Sequence, residues 1–164
     1  MAQKEKSLSN MENPHILVKK SARTLQIFDG PALIKTYHIS LGFEPEGDKE
    51  IEGDGKTPEG EFYVYFKNEQ SQFFLSLGIS YPNIDDAKRG LEQNLITREE
   101  YEQIVKANHE KTIPPQKTKL GGEIFIHGGG CERDWTAGCM ALTNEEMKEI
   151  FEVIPIGTEV KIEP

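Results

Sequence analysis

The stretch GFEPEGDKEIEGDGKTPEG, at positions 42–60, holds five glycines and two prolines. This density excludes a helix or a central strand there, because glycine loses much backbone entropy on ordering and proline lacks a backbone N–H. We therefore predict a long surface loop. Before the loop, two short apolar runs flank Asp29-Gly30, a pair that favours a two-residue hairpin turn. After it, the run EFYVYF predicts a strand.

From residue 84 the composition becomes helical, and LEQNLITREEYEQIVKANHEK is the clearest case. Thr97 and Glu100 have the spacing of a capping box, in which each side chain accepts the other residue's backbone N–H. Pro114-Pro115 ends the helical stretch, because proline cannot continue a helix. The sequence therefore predicts a helical insertion around residues 84–112.

The last part of the chain returns to strand signals. GGEIFIHG and GTEVKI predict short strands, and TNEEMKEIFEVI between them predicts an amphipathic helix with Thr143 and Glu146 as its capping box. The predicted fold class is mainly β with a few helices (α+β). The chain's 164 residues are the length of one domain.

Residues 1–14 are polar and aperiodic, so they predict a flexible leader or a vector-derived remnant before a domain at residues 15–164. With 19 basic and 28 acidic side chains the net charge is -9, which argues against binding nucleic acid or an anionic membrane through bulk charge. No apolar run approaches the ~18 residues of a membrane span, and the N-terminus lacks the apolar core of a signal peptide. We expect a cytosolic chain or one whose export signal is absent.

The segment FIHGGGCERDWTAGCMAL, at positions 125–142, places one histidine and two cysteines among four glycines. A structural zinc site usually takes four Cys or His ligands, with cysteine pairs two to four residues apart. Here seven residues separate Cys131 from Cys139, so the spacing does not favour a metal. A disulfide between these two cysteines is the second alternative, and it would silence both thiols.

A catalytic pair is the third alternative. His127 ends a predicted strand, and Cys139 follows Gly138 just before a predicted helix, so the two side chains can face each other across the loop. An imidazole or a helix N-terminus nearby lowers the pKa of a thiol and activates it as a nucleophile. Gly138 permits a tight turn with backbone N–H groups that can stabilise an oxyanion. Under this interpretation Cys131 has no role.

Two motifs resemble those of the YkuD-type L,D-transpeptidases of bacterial cell walls. The first is His127-Gly128 followed by Thr136-Ala137-Gly138-Cys139-Met140, which matches a His-Gly and then a Ser/Thr-x-Gly-Cys-hydrophobic signature. The second is Thr57-Pro58-Glu59-Gly60-Glu61-Phe62, which matches T-P-x-G-x-F downstream of a glycine-rich loop. Both motifs occur in the family's order, and they frame roughly residues 15–163.

The resemblance implies a β-sandwich or curled-sheet domain with Cys-dependent acyl transfer on peptidoglycan stem peptides. Cys139 would attack the carbonyl that follows the diamino acid of a tetrapeptide stem and release D-alanine. His127 would be the base, the Gly128 carbonyl would orient its ring, and the N–H groups of Gly138 and Cys139 would bind the oxyanion. The acyl group would pass to an amine or to water, so a carboxypeptidase or murein hydrolase is the alternative enzyme. A noncatalytic wall-binding domain is a further alternative.

Two positions depart from the family pattern: Ala137 and Ala141 stand where many members have a histidine and an Arg or Asn. Substrate contacts must therefore differ. The candidate substrate-binding residues are Thr136, Arg133, Trp135, Tyr81 and Asn83. Arg133 can pair with a stem carboxylate and Trp135 can form an apolar wall, although a solvated arginine and a packed indole explain them equally well. The insertion is either a lid over the site or a surface helix pair.

The resemblance also implies the partners and the location. We expect peptidoglycan stem peptides as substrates, carbapenem-type inhibitors, no cofactor, no metal, no nucleic acid and no membrane span. We further expect a monomer that works outside the cytoplasm, in the periplasm or cell wall.

Overall fold

The computed structural model of the protein describes residues 6–164. A short 3-10 turn at Leu8–Asn10 precedes eight strands and three helices. The strands are β1 (Pro14–Lys19), β2 (Thr24–Asp29), β3 (Ala32–His38), β4 (Gly60–Ser71), β5 (Phe74–Ile79), β6 (Phe125–His127), β7 (Met140–Ala141) and β8 (Glu159–Glu163). The helices are α1 (Ile84–Glu92), α2 (Arg98–Glu110) and α3 (Asn144–Val153).

All eight strands form one curled sheet in the order β3-β2-β1-β8-β4-β5-β6-β7. The pairs β1–β8 and β6–β7 are parallel, and the other neighbours are antiparallel. The prediction of a mainly β domain with a few helices and a curled sheet is confirmed. The short strand β7 lies at one end of the sheet, directly beside β6, so the two halves of the His-Gly and Gly-Cys motif become neighbours.

The predicted turn at Asp29-Gly30 joins β2 to β3. Asp29 pairs with Ala32 across the turn, and Gly30 adopts a φ of 55°, in the left-handed region that glycine enters at little cost. Alternating side chains of β1 and β2 point into the core, where Ile16, Val18 and Leu25 are fully buried. Helix α3 covers β5 and β6 and adds Met147 and Ile150 to the same core.

The helical insertion has a small core of its own, formed by Ala87, Ile96, Ile104 and Leu120. The predicted capping box of α2 is present: Glu100 N–H donates to Thr97 Oγ1 at 3.1 Å, and Thr97 N–H donates to Glu100 Oε1 at 2.9 Å. Helix α3 begins differently, because Glu146 Oε1 accepts the Thr143 hydroxyl rather than its backbone N–H.

Residues 42–59 contain no regular strand or helix, as predicted, but they are only partly a surface loop. Thr57 is fully buried, and the ammonium of Lys20, the residue after β1, reaches into the loop. It donates to the carbonyls of Gly47 and Thr57, both at 2.7 Å, and contacts Glu59 Oε2 at 3.1 Å. These buried polar contacts, which the composition did not reveal, hold the loop against the sheet.

The leader predicted at residues 1–14 lies partly outside the described residues, which begin at Lys6. From there the chain contacts the domain through Asp29, whose carboxylate accepts the Lys6 ammonium at 2.8 Å and the Asn13 N–H at 2.6 Å. Because β1 begins at Pro14, the last predicted leader residue belongs to the sheet. None of the helices within residues 6–164 is long and apolar enough to cross a lipid bilayer.

Candidate active site

Strands β6 and β7 bring the histidine and the second cysteine to the same end of the sheet. Ile126 pairs with Met140 and His127 with Ala141, so Cys139 lies one residue before the paired segment of β7. Its sulfur is 3.4 Å from the backbone nitrogen of Phe125, whose N–H it accepts. Phe125 and His127 are two residues apart and therefore project from the same face of β6.

His127 is held in an aromatic enclosure and is only 1% exposed. Its ring stacks on Phe73 with centroids 4.7 Å apart, and the Trp135 ring, whose centroid is 5.5 Å from that of His127, is inclined to it by 70°. Nδ1 hydrogen-bonds to the carbonyl of Gly128. Because a carbonyl only accepts, Nδ1 carries the proton and Nε2 keeps a free lone pair. Burial lowers the pKa of His127, and the Gly128 contact opposes part of that shift, so the ring is neutral at pH 7.

Cys139 is a free thiol. Its sulfur donates to the Glu123 carbonyl at 3.4 Å, and no hydrogen bond in residues 6–164 joins it to His127. Burial raises the pKa of the thiol to about 11, and the charge of Glu123 acts in the same direction. The resting pair is therefore a neutral thiol and a neutral imidazole, so a base must remove the thiol proton during a reaction.

The T-P-E-G-E-F and Gly-Cys motifs meet at Gly138. This residue has a φ of 135°, and a Cβ there would lie 2.8 Å from the Lys56 carbonyl oxygen. Gly42 also lies against it, and its N–H donates to Thr57 Oγ1 at 3.0 Å. Only glycine allows the two loops to approach this closely, which explains why residues far apart in sequence form one site.

The chain matches the model of the YkuD family, described as the L,D-transpeptidase catalytic domain, over residues 13–162. The chain belongs to this family. The match confirms the resemblance noted from the two motifs. A comparison with curated proteins found no match.

Solved structures of low sequence identity share the fold. Pgp2, a helical cell shape determining protein from Campylobacter jejuni, aligns with a TM-score of 0.63 at 22% identity, over 93% of this chain and 48% of its own. Bd1075 from Bdellovibrio bacteriovorus gives 0.59 at 21% identity, with coverages of 93% and 48%. An L,D-transpeptidase from Mycobacterium smegmatis gives 0.55 at 9% identity, covering 93% and 59%. The chain thus spans about half the length of the first two structures.

The resemblance implied that the N–H groups of Gly138 and Cys139 would both be available to an oxyanion, and the backbone around Cys139 differs from this. Thr136 is buried, and its hydroxyl donates to the Cys139 carbonyl at 2.7 Å and accepts the Gly138 N–H at 3.2 Å. Thr136 therefore braces the turn, and the Gly138 N–H is already engaged; a contact between Thr136 and substrate stays a prediction. Among the described residues no hydrogen bond uses the Cys139 N–H, so it is the donor available to an oxyanion.

Tyr81 and Asn83 have structural roles, and their assignment as substrate-binding residues stays a prediction. Tyr81 has no exposed surface, and its hydroxyl donates to the Leu120 carbonyl at 2.7 Å. Asn83 caps α1 by accepting the Asp86 N–H at 2.9 Å. These hydrogen bonds, which the sequence did not predict, fix the start of α1 and the segment that follows α2.

Trp135 and Arg133 lie on the loop of residues 128–139. The indole of Trp135 lines the His127 enclosure and donates to the Gly130 carbonyl at 3.0 Å. Arg133 is exposed and makes no ion pair within residues 6–164. The neighbouring Asp134 fixes the loop, since it pairs with Arg23 at 2.9 Å and accepts the Leu41 N–H at 2.9 Å.

The helices of the insertion make no hydrogen bond, ion pair or ring contact to His127 or Cys139 among the described residues. They reach the site indirectly, because Gln116, which follows α2, accepts the Glu123 N–H at 2.7 Å. Arg89 of α1 donates to the Lys49 carbonyl in loop 42–59. The insertion therefore contacts the segments next to the site, at Lys49 and Glu123, and these contacts give no support to the lid interpretation.

Three side chains near His127 and Cys139 were not predicted: Phe73, Tyr65 and Glu123. Phe73 belongs to the turn between β4 and β5, and its carbonyl accepts the Gly128 N–H at 3.0 Å. A non-glycine residue with a φ of 55°, as at Glu123, is typical of functional loops. That backbone angle cannot be read from the sequence, which predicted a strand over GGEIFIHG.

The alternatives of a metal site and a disulfide can also be compared with the structure. Within residues 6–164, no three His, Cys, Asp or Glu side chains are grouped to hold a metal ion. Cys131 and Cys139 are both unpaired thiols. Burial raises the pKa of Cys131, and the charges of Glu146 and Glu132 act in the same direction.

Proposed function

We propose that this domain is an L,D-transpeptidase that acts on peptidoglycan stem peptides through a Cys139 acyl-enzyme. One observation supports this most: His127, neutral and free at Nε2, ends the strand that pairs with the segment after Cys139. Membership of the YkuD family supplies the substrate class. The chain then works outside the cytoplasm, where stem peptides are found. One structural neighbour is named as a determinant of cell shape, which suggests the same role here.

The reaction begins when the thiol turns from the Glu123 carbonyl toward His127. Nε2 takes the thiol proton as sulfur attacks the carbonyl that follows the diamino acid of the stem. The Cys139 N–H binds the resulting oxyanion. The C–N bond then breaks, and D-alanine leaves with the proton from His127, which produces a thioester. An amine of another stem attacks the thioester and transfers a proton to His127. An amide bond forms, the C–S bond breaks, and the departing sulfur takes that proton from His127 to restore the thiol.

Water in place of the amine gives the alternative activity, an L,D-carboxypeptidase or murein hydrolase with the same pair of residues. Incubation with a disaccharide tetrapeptide distinguishes the two. A cross-linked dimer indicates transfer, whereas disaccharide tripeptide alone indicates hydrolysis. If no D-alanine is released and no tetrapeptide is consumed, the noncatalytic wall-binding alternative is favoured.

Mass spectrometry with a carbapenem tests the nucleophile directly, and a neighbouring structure, LdtMt1, has been solved in complex with imipenem. We expect one adduct, located on Cys139 by peptide mapping. Cys139→Ala should lose both the adduct and turnover of the stem peptide, whereas Cys131→Ala should keep both. An adduct on Cys131, or full activity in Cys139→Ala, would overturn the assignment.

A further inference from the structure

Tyr65 lies beside the candidate nucleophile because β5 has a glycine at the intervening position. A Cβ at Gly78 would be 2.8 Å from Cζ of the Tyr65 ring, so the ring occupies the space of the missing side chain. Gly78 pairs in turn with Phe125 of β6, whose N–H bonds the Cys139 sulfur. The ring of Tyr65 therefore lies over β5 at Gly78, and Phe125, the partner of Gly78, contacts Cys139.

The hydroxyl of Tyr65 has no hydrogen-bond partner within residues 6–164. Buried tyrosines usually satisfy this group, and Tyr37, Tyr63 and Tyr81 do so here by donating to protein acceptors, whereas Tyr65 is half-buried. Burial raises the pKa of Tyr65 to about 12, and the charges of Glu123 and Cys139 act in the same direction. The phenol is therefore neutral at pH 7 and keeps its lone pairs for a ligand.

The carboxylate of Glu123 is the second free group at this position. Its backbone is fixed on both sides, since its N–H donates to Gln116 and its carbonyl accepts the Cys139 thiol. The side chain is exposed and makes no ion pair in the described part of the chain. The nearby cation Lys49 does not compensate it, because the Lys49 ammonium is buried and pairs with Asp54 at 2.9 Å.

We infer that Tyr65 and Glu123 form an ammonium-binding subsite next to Cys139, which selects stem peptides that carry a free primary amine. A phenol oxygen and a carboxylate accept hydrogen bonds from an ammonium, and the contact to the carboxylate is charge-assisted. This inference rests on the proposed function. The amine belongs either to the diamino acid of the acyl donor or to the acceptor that attacks the thioester.

Binding to the Cys139→Ala protein tests the subsite without turnover. The probes are a stem tetrapeptide with a free diamino acid amine and the same peptide with that amine acetylated, compared by calorimetry. If the donor amine occupies the subsite, acetylation should weaken binding about ten-fold, the effect of one charged hydrogen bond. Adding Glu123→Gln should reduce the difference below about three-fold, with Tyr65→Phe between the two. Glu152→Gln, an exposed glutamate on α3, is the matched control and should keep the full difference.

Transfer by the protein with Cys139 intact tests the other source of the amine. With the acetylated peptide as donor and a free stem peptide as acceptor, a raised KM for the acceptor in Glu123→Gln assigns the subsite to the acceptor. If Glu123→Gln changes neither the preference for the free amine in binding nor the KM for the acceptor, the subsite is overturned and the proposed function stays intact. If the protein binds the free peptide more tightly than the acetylated one but never turns over a stem peptide, the subsite is retained and the proposed function is wrong.

Alkylation of Cys139 by iodoacetamide, followed by peptide mapping, checks that Glu123→Gln leaves the site folded. Because the charge of Glu123 raises the pKa of Cys139, the variant should react as fast as the parent or faster. Slower alkylation together with lost discrimination would indicate a damaged loop and would count against a recognition role.

Discussion

Two glycine-rich loops meet at Gly138, and they are held in different ways. Loop 42–59 is fixed from inside by a buried lysine, which satisfies two backbone carbonyls and one carboxylate. Loop 128–139 carries the thiol and is fixed at its margin by the half-exposed pair of Arg23 and Asp134. The first loop therefore contributes shape and stability, and the second carries the proposed nucleophile. Substitutions in the two loops should separate these contributions.

The largest loss of stability is expected from Lys20→Met. The change leaves the Gly47 and Thr57 carbonyls and the Glu59 carboxylate without their donor, and breaking a buried ion pair costs about 3 to 5 kcal/mol. Chemical denaturation measures the free energy of unfolding. Lys19→Met, at the exposed neighbouring position of β1, is the matched control. A loss below 1 kcal/mol for Lys20→Met would show that the loop is held by something else.

Gly138→Ala, at the junction of the loops, should have the second largest effect. The added methyl meets the Lys56 carbonyl at 2.8 Å in a backbone conformation reserved for glycine, and such strain costs about 2 kcal/mol. Gly130→Ala is the control, because it has a φ of 108° but no atom near its Cβ. If both variants lose the same stability, the backbone angle alone matters and the close approach of the loops does not.

Arg23→Ala should lower the free energy of unfolding by less, about 1.5 kcal/mol, because the ion pair of Arg23 with Asp134 is partly screened by solvent. The reason to make this change is activity. Without the ion pair to Arg23, Asp134 no longer fixes loop 128–139. Turnover of stem peptide should therefore fall by a larger factor than the loss of folding free energy alone explains. Arg98→Ala, at an exposed position of α2, should change neither. Equal losses of stability for Arg23→Ala and Lys20→Met would contradict the contrast between the loops.

The sequence predicted local features well and relations across the sheet poorly. The capping box of Thr97 and Glu100 depends on residues three positions apart, so it could be identified directly. A motif fixes the order of His127 and Cys139, so their place at one end of the sheet could be predicted. The position of Tyr65 over Gly78 could not, because it depends on which strands are neighbours. The burial of Tyr81 depends on the insertion that covers it, so the sequence did not reveal it.

The buried charge of Lys20 illustrates the same limit. A lysine after a strand is usually solvated, and nothing in the glycine-rich composition of loop 42–59 indicates that its carbonyls turn inward. Only the folded arrangement gathers acceptors from Gly47, Thr57 and Glu59 around one ammonium. The composition correctly excluded regular structure, but it could not distinguish a mobile loop from one held by its own backbone.

The smallest effect concerns pH and the imidazole that faces loop 128–139. Burial lowers the pKa of His127 in the folded protein, so below pH 6.5 the unfolded chain takes up a proton that the folded chain does not. Folding stability from this residue is therefore complete above pH 6.5 and is lost as the pH falls. At pH 6 the loss relative to pH 7.5 is at most about 0.8 kcal/mol. Unfolding of the parent and of His127→Gln at both pH values measures it as a difference, since the other histidines cancel. A parent that gains stability relative to the variant at pH 6 would mean that the folded imidazole is charged, and a charged ring could not accept the thiol proton.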